Sequence, residues 1–231
     1  RIIVGTVAAI SGKPELFRLK HFNVAIIDEA TQILEPQLLG ILCARGEDDR
    51  NAIDKFILIG DHKQLPAVVL QNTEQSAIYD ESLLSIGLAN LKDSLFERLY
   101  RNCSSGNDSS SSIIADNTSS ATGRSYDMLC RQGRMHPEVA LFANRAFYGG
   151  RLIPVGLPHQ LEDSGHISRV AFYPSIPERA GSSAKVNSSE ARIVAGLAVR
   201  IYESNQKHFD ESRTLGVITP YRSQIALIKK E

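Results

Sequence analysis

The sequence predicts an α/β fold built as two parallel-sheet lobes, and three observations carry that expectation. Two short apolar runs, Val24-Ala25-Ile26-Ile27 and KFILIG over residues 55–60, read as strands. A helical pattern lies between them, and strand–helix–strand in this rhythm argues for a parallel sheet with crossover helices. A Ser-rich tract over residues 104–125 then separates this half from a second half written in the same style. The first run is β-branched and without polar alternation, so it is expected to be buried on both faces.

Taken in order, Arg1 to Val4 read as a strand. A helix is expected from Glu35, with Pro36 suited to the first helical position and Gly46 to the stop. Residues 91–100, LKDSLFERLY, form an amphipathic pattern with Leu95, Phe96 and Leu99 on one side. Residues 104–125 contain nine serines; such a stretch buries too little apolar surface to offset its ordering entropy and is expected to be a mobile insertion. In HPEVALFANRAFYGG, Pro137 opens a helix, Val139, Phe142, Ala143, Ala146 and Phe147 keep helical spacing, and Gly149-Gly150 stop it. SRVAFYP, residues 168–174, reads as a strand. Asn187 with Glu190 makes a capping-box-like start for a helix carrying Val194, Leu197, Ala198 and Ile201. TLGVITPY, residues 214–221, is another expected strand, and a further helix begins near Gln224. The chain starts within an apparent strand and ends within an apparent helix, so a fragment of a longer protein is expected. The division is 1–103 for the later part of a first lobe, 104–125 for the insertion, and 126–231 for the earlier part of a second lobe.

Lys+Arg and Asp+Glu both number 26, so bulk charge singles out neither nucleic acid nor a membrane surface as partner. No apolar stretch approaches the roughly 20 residues of a membrane span, and the N-terminus lacks a signal-peptide layout. Cys43, Cys103 and Cys130 are far apart and show no CxxC spacing; reduced thiols in a cytoplasmic or nuclear protein are the expectation. The Asn-x-Ser/Thr matches at Asn102, Asn107 and Asn117 are then chance products of a Ser-rich composition. His159, Asp163 and His166 lie in a loop-like stretch without a fourth ligand, so no metal site is expected there.

The chemistry lies at the carboxyl ends of the two expected strands, the edge where open α/β sheets bind ligands. SGKP at residues 11–14 is not a phosphate loop of the form G-x-x-x-x-G-K-[ST], because six residues separate Gly5 from Gly12 and Pro14 replaces the hydroxyl. Lys13 is read as a solvated loop lysine. In IIDEATQ, by contrast, Asp28 stands where an acid would help hold Mg²⁺, and Glu29 where a carboxylate would polarise water. LIGDHKQLPAVV repeats the geometry on the second strand, with Asp61 at its end and Gln64 in the following loop. Neighbouring strands would bring Asp28, Glu29, Asp61 and Gln64 to one edge, a set suited to hydrolysis of a nucleotide phosphate. For Asp61 a second reading stays open, that it caps its loop.

IIDEATQ, LIGDHKQLPAVV, SLFERL, GRMHPEVALFANRAFYGGRL and GVITPYRSQ occur in the order seen in superfamily 1 helicases. They most resemble the branch containing the nonsense-mediated-decay RNA helicase and its DNA-acting relatives. The motifs span residues 24–224, nearly the whole chain. The resemblance implies two RecA-like lobes of the P-loop NTPase kind, both incomplete here. It also implies ATP and Mg²⁺ as cofactors, single-stranded DNA or RNA as partner, 5′→3′ movement and a monomer.

Carried over residue by residue, it makes Asp28 the Mg²⁺ ligand, Glu29 the catalytic base and Gln64 the contact to the γ-phosphate. Arg134 becomes an arginine finger from the second lobe, and Asp61 and Gln132 join Asp28 in nucleotide binding. Thr6, Thr219, Pro220 and Tyr221 match segments that touch the nucleic-acid strand or lie beside it; strand-end packing for Thr6 and a Pro-stabilised turn for the others remain open. His136 is expected to order the turn before its helix.

Two departures stand out. Gly133 replaces the aromatic of QYRMHP, which removes a stacking partner for the base. The phosphate loop and the later QGRE and ALTRA-like segments are also missing, so the isolated 231 residues are expected to hydrolyse ATP negligibly. The leading reading is an ATP-dependent helicase or translocase. A nucleotide-dependent binding module with impaired hydrolysis is the alternative, and a metal-dependent nuclease would leave most of the motif set without a use.

Overall fold

In the computed structural model, residues 2–105, 125–162, 169–176 and 185–231 are described. They divide into two units, Arg1–Cys130 and Arg131–Glu231.

In the first unit, β1 (Phe22–Ile27) and β2 (Ile53–Leu58) pair in parallel, with Ala25 opposite Phe56 and Ile27 opposite Leu58. Parallel pairing needs a crossover, and α3 (Glu35–Leu42) supplies it, with Pro36 in its first turn as expected. The helix ends at Leu42, four residues before Gly46. Two helices precede the sheet, α1 (Val7–Ser11) and α2 (Glu15–Leu19). Among the described residues of this unit, α4 (Glu81–Ser85) and α5 (Leu95–Ser105) follow it. Asp80 caps α4. The Ser82 hydroxyl and the backbone N–H groups of Leu83 and Ser82 hold its carboxyl below the ordinary value.

Side chains of alternate parity separate the two faces of this sheet. Ala25, Ile27, Phe56 and Leu58 face a core formed with Phe17, Leu38, Ile41 and Leu95. Val24, Ile26 and Ile57 lie on the other face and are 44%, 65% and 43% exposed. Burial of β1 on both faces is therefore not what the structure shows. Among the described residues of this unit, the helices pack on one side of the sheet, and an apolar run does not reveal how many of its faces find a partner.

The second unit holds a shorter sheet, β3 (Arg131–Gln132) parallel to β4 (Ile153–Pro154). Between them runs α6 (Pro137–Phe147), which opens at Pro137 as the sequence predicts. Gly149 and Gly150 follow at φ 59° and 74°, the left-handed conformation in which glycine stops a helix at little steric cost. A four-residue helix, α7 (Pro158–Leu161), comes next. Then α8 (Ser188–Asn205) begins at Asn187, whose side chain accepts from the Glu190 N–H at 3.0 Å. α9 (Arg222–Lys230) completes the unit.

Three expected strands are absent. Residues 2–4, 169–174 and 214–221, the described parts of those expected strands, have no regular structure. A strand is stabilised by pairing, and none of these segments has a paired neighbour among the described residues. Ile218 and Phe172, 98% and 89% exposed, show how little they pack. Of the Ser-rich tract, residues 106–124 lie outside the described residues, while Ser104 and Ser105 continue α5.

Candidate functional site

The two strands of the first unit leave the sheet in step. The Ile59 N–H donates to the Ile27 carbonyl at 2.8 Å, and the Ala30 N–H donates to the Ile59 carbonyl at 2.8 Å. Asp28 and Glu29 are therefore bracketed by bonds to the backbone just before Gly60 and Asp61. The approach is close: a Cβ on Gly60 would stand 2.9 Å from Thr31 Cγ2 and 3.0 Å from the Thr31 nitrogen. Only glycine lets the second strand end pass the short 3₁₀ turn Ala30–Gln32, in which Thr31 is buried.

Glu29 has φ 51° and ψ 37°, a left-handed conformation uncommon outside glycine. Backbone held in such a state clusters at functional sites. Asp28 Oδ1 accepts from the Glu29 N–H at 2.9 Å, and Glu29 Oε2 accepts from Gln32 Nε2 at 3.1 Å. Both acids are exposed at the strand's carboxyl end. Asp61 uses its carboxylate within its own loop, where Oδ1 accepts from the Lys63 N–H at 3.0 Å and Oδ2 from Gln64 Nε2 at 2.9 Å. These are the contacts of a loop cap, and they also fix the amide of Gln64. Gln32, Lys63, Gln64, Leu65, Pro66 and Val68 line a groove of about 620 Å³. Another cavity of about 610 Å³, bounded by Phe17, Arg18, Gly40, Cys43 and Arg45, contains none of the sequence-predicted site residues. Chemistry favours the groove, where a lysine and two amides converge beside the acids.

The position of α5 follows from one ion pair. Arg98 Nε donates to Glu35 Oε2 at 2.8 Å and Nη2 donates to Oε1 at 2.5 Å, joining SLFERL to the start of α3. Hydrogen bonding to Glu35 raises the Arg98 guanidinium above its ordinary pKa, against the desolvation that lowers it. Tyr100, also on α5, stacks on His62 at 4.5 Å between ring centroids.

In the second unit Arg134 occupies the turn between β3 and α6. It is exposed and has no hydrogen bond or ion pair among the described residues. Gln132, expected to meet the nucleotide, directs its side chain to the turn itself. Its Oε1 accepts from the Met135 N–H, and its Nε2 donates to the Met135 carbonyl, both at 2.8 Å. His136 caps α6 as expected, with Nδ1 accepting from the Glu138 N–H at 3.2 Å. Gly133 meets Leu157 Cδ1 and Val155 Cγ2, 3.1 and 3.3 Å from where a Cβ would stand.

Thr6 lies at the N-cap of α1 rather than at a strand end, its hydroxyl accepting from the Ala9 N–H at 3.2 Å. Thr219, Pro220 and Tyr221 lead into α9, with Pro220 and the Tyr221 ring exposed. Among the described residues no group of three or more His, Cys, Asp or Glu side chains forms a metal cluster. Asp163 and His166 lie outside those residues.

Three contacts escaped the sequence reading. One is the Glu35–Arg98 pair. Another is a reciprocal amide clamp, in which the Asn187 N–H donates to Gln224 Oε1 at 2.8 Å and Gln224 Nε2 donates to the Asn187 carbonyl at 3.0 Å. The third is buried Gln160, which braces the Arg134 turn. Long-range polar pairs leave no periodic trace, although Pro158 followed by Gln160 did offer a short capping-like signal.

Family profiles described as AAA domains match residues 1–72 and 91–231, the second covering more than half of the chain. The chain belongs to the superfamily 1 helicases. It falls in the branch that contains the nonsense-mediated-decay RNA helicase and its DNA-acting relatives. Helicase SEN1 of Saccharomyces cerevisiae is 29% identical over 91% of this helicase chain and 8% of its own length. The DNA replication ATP-dependent helicase/nuclease DNA2 of Bos taurus is 26% identical over 99% of the chain and 20% of its own length. Probable helicase MAGATAMA 3 of Arabidopsis thaliana is 32% identical over 65% of the chain and 14% of its own length. The chain spans one fifth or less of these relatives. Its mixed α/β build with parallel strands is that of P-loop helicase domains.

Proposed function

We propose that the full-length protein is an ATP-dependent helicase or translocase acting on single-stranded nucleic acid. The observation that carries this reading is the convergence of Asp28–Glu29 with Asp61–Gln64 at the ends of two paired parallel strands. Asp28 holds Mg²⁺ in this reading: it offers hard carboxylate oxygens, and Mg²⁺ commonly takes one or two carboxylates, with phosphate oxygens and water completing its octahedron. The bound ion would neutralise charge on the phosphates. Glu29 accepts a proton from the attacking water, and Gln64, held by Asp61, meets the γ-phosphate. Arg134, from the other unit, stabilises charge developing on the phosphoryl group. The two units are read as parts of two RecA-like lobes, with 5′→3′ movement implied by the family. Thr6, Thr219, Pro220 and Tyr221 are read as lying along the strand; exposure of Pro220 and the Tyr221 ring supports this for the last two.

A second reading has one observation in its favour. Gly133 in place of an aromatic leaves no ring there for a base to stack on, and Val155 and Leu157 stand close to where a side chain at 133 would begin, which supports a binding module with impaired hydrolysis. ATP hydrolysis by the full-length protein, with and without single-stranded RNA and DNA, separates the two. Strong stimulation by one polymer, lost in Glu29→Gln, is the expected result and names the track. A flat response from folded protein would establish the binding module instead.

A further inference from the structure

We propose that Gln160 and His159 are positioning residues for Arg134, holding the root of that side chain by gripping the backbone of its turn. This inference rests on the reading of Arg134 as the residue that stabilises the transferring phosphoryl group.

Gln160 is 3% exposed, although it belongs to a helix of only four residues. Its amide has two acceptor and two donor positions, and all four are used. Oε1 accepts from the N–H groups of Gly156 and Leu157 at 3.0 and 3.1 Å, which folds the 156–160 segment on itself. Nε2 donates to the carbonyls of Gln132 and Met135, each at 2.9 Å. Those two carbonyls flank Arg134. His159 Nε2 lies 3.0 Å from the carbonyl of Gly133, and since a carbonyl only accepts, the ring nitrogen is the donor. Within the turn, the Gln132 side chain closes back on Met135 from the same side of the sequence. The carbonyls of residues 132, 133 and 135 are thus each held from α7, and Arg134 between them is exposed.

One turn of helix has no stability of its own in water, so α7 exists because of what it grips. Burying a fully bonded amide fixes geometry, because every displacement of the turn breaks a bond that no water replaces. An arginine finger contributes only when its guanidinium meets the phosphoryl oxygens, and displacement by about 1 Å can reduce a rate on the order of 100-fold. Gly133 belongs to the same device. The segment carrying Leu157 and Val155 comes so near residue 133 that a Cβ there would press on both. A larger residue at 133 would require the Leu157 and Val155 side-chain tips to give by a few tenths of an ångström.

The test is nucleic-acid-stimulated ATP hydrolysis by the full-length protein, with kcat and KM resolved. Gln160→Glu keeps the acceptor half of the amide and removes the donors that reach the turn. We expect kcat to fall about 10- to 100-fold while KM for ATP stays within about threefold, because ground-state binding is left to the other unit. In an Arg134→Ala background the same substitution should cost less than about twofold, since residues acting as one unit are not additive. If Arg134→Ala hydrolyses ATP normally, the reading of Arg134 fails and the brace with it. A slow Arg134→Ala beside a normal Gln160→Glu overturns the positioning role and leaves the proposed function standing. A loss that adds in full to that of Arg134→Ala also overturns it. If Gln160→Glu does not fold, His159→Ala decides. Its side chain is exposed, so the variant should fold with a kcat reduced about threefold and restored by His159→Gln. Normal turnover in His159→Ala would overturn the proposal.

Discussion

Gly60 has no room for a side chain, and the reason lies across the strand ends. An alanine Cβ would stand 3.0 Å from the backbone nitrogen of Thr31, which cannot rotate away as a side-chain tip can. Either β2's exit or the 3₁₀ turn after Glu29 would have to shift. Both carry residues of the proposed site, so Gly60→Ala should lower ATP turnover by about tenfold or more, in line with misplacement of reacting groups by a fraction of an ångström. Gly196 is the control. It lies within α8, and nothing stands within 4 Å of where its Cβ would be. Gly196→Ala should therefore raise stability by about 0.5–1 kcal/mol, because a helical glycine loses more backbone freedom on folding than alanine does. Thermal unfolding of both variants, read beside ATP turnover, checks the pair; a Gly60→Ala protein with normal turnover would refute the close approach.

At the scale of elements, the joint between α3 and α5 depends on Glu35 and Arg98, whose side chains are each 11% exposed. Removing one partner leaves the other charged, buried and uncompensated, a change that costs about 3–5 kcal/mol. Arg98→Ala should therefore lower the unfolding temperature far more than Arg101→Ala, which breaks the more exposed pair with Asp93. The sign of the pH effect follows from the raised Arg98 value. Its contribution is complete below the ordinary arginine pKa and is lost only as pH rises through the higher folded value, so it is constant near neutrality.

The elements also show what the sequence makes legible. Helices α6 and α8 could be read closely because their signals are local: Pro137, Gly149-Gly150, and Asn187 with Glu190. The parallel pairing of β1 and β2, and the meeting of Asp28 with Gly60–Asp61, followed from rhythm and from which strand end carries acids. Residues 169–174 and 214–221 were misread because strand-like composition does not supply a partner. The uncovered face bearing Val24 and Ile26 was missed for the same reason. Gln160 and Gln224 were not found because a buried amide clamp is specified by distant backbone, not by spacing.

For the molecule as a whole, the distribution of buried apolar residues matters as much as that of the site. Phe17, Ile27, Leu38, Ile41, Ile53 and Leu95 all belong to the first unit. Among the described residues of the second unit, the buried apolar side chains are the small Ala140 and Ala191, and the buried polar ones are the amides of Gln160 and Gln224. One unit is therefore held by side-chain packing beneath its sheet, and the other draws more of its definition from polar clamps between its turns and helix starts. These modes respond differently to a change in volume. Leu38 is wholly buried against Ile27, Ala30 and Leu95, directly beneath the strand end that carries Asp28. Leu38→Ala should remove about 2–5 kcal/mol from that core. Local opening reports the stability of the unit in which a backbone amide sits. Hydrogen exchange in the full-length variant should therefore accelerate in peptides of β1, β2, α3 and α5, and stay at the parent rate in α6 to α9. Acceleration spread equally over both sets would mean that the two units open as one, and would remove the basis for assigning their cores separately.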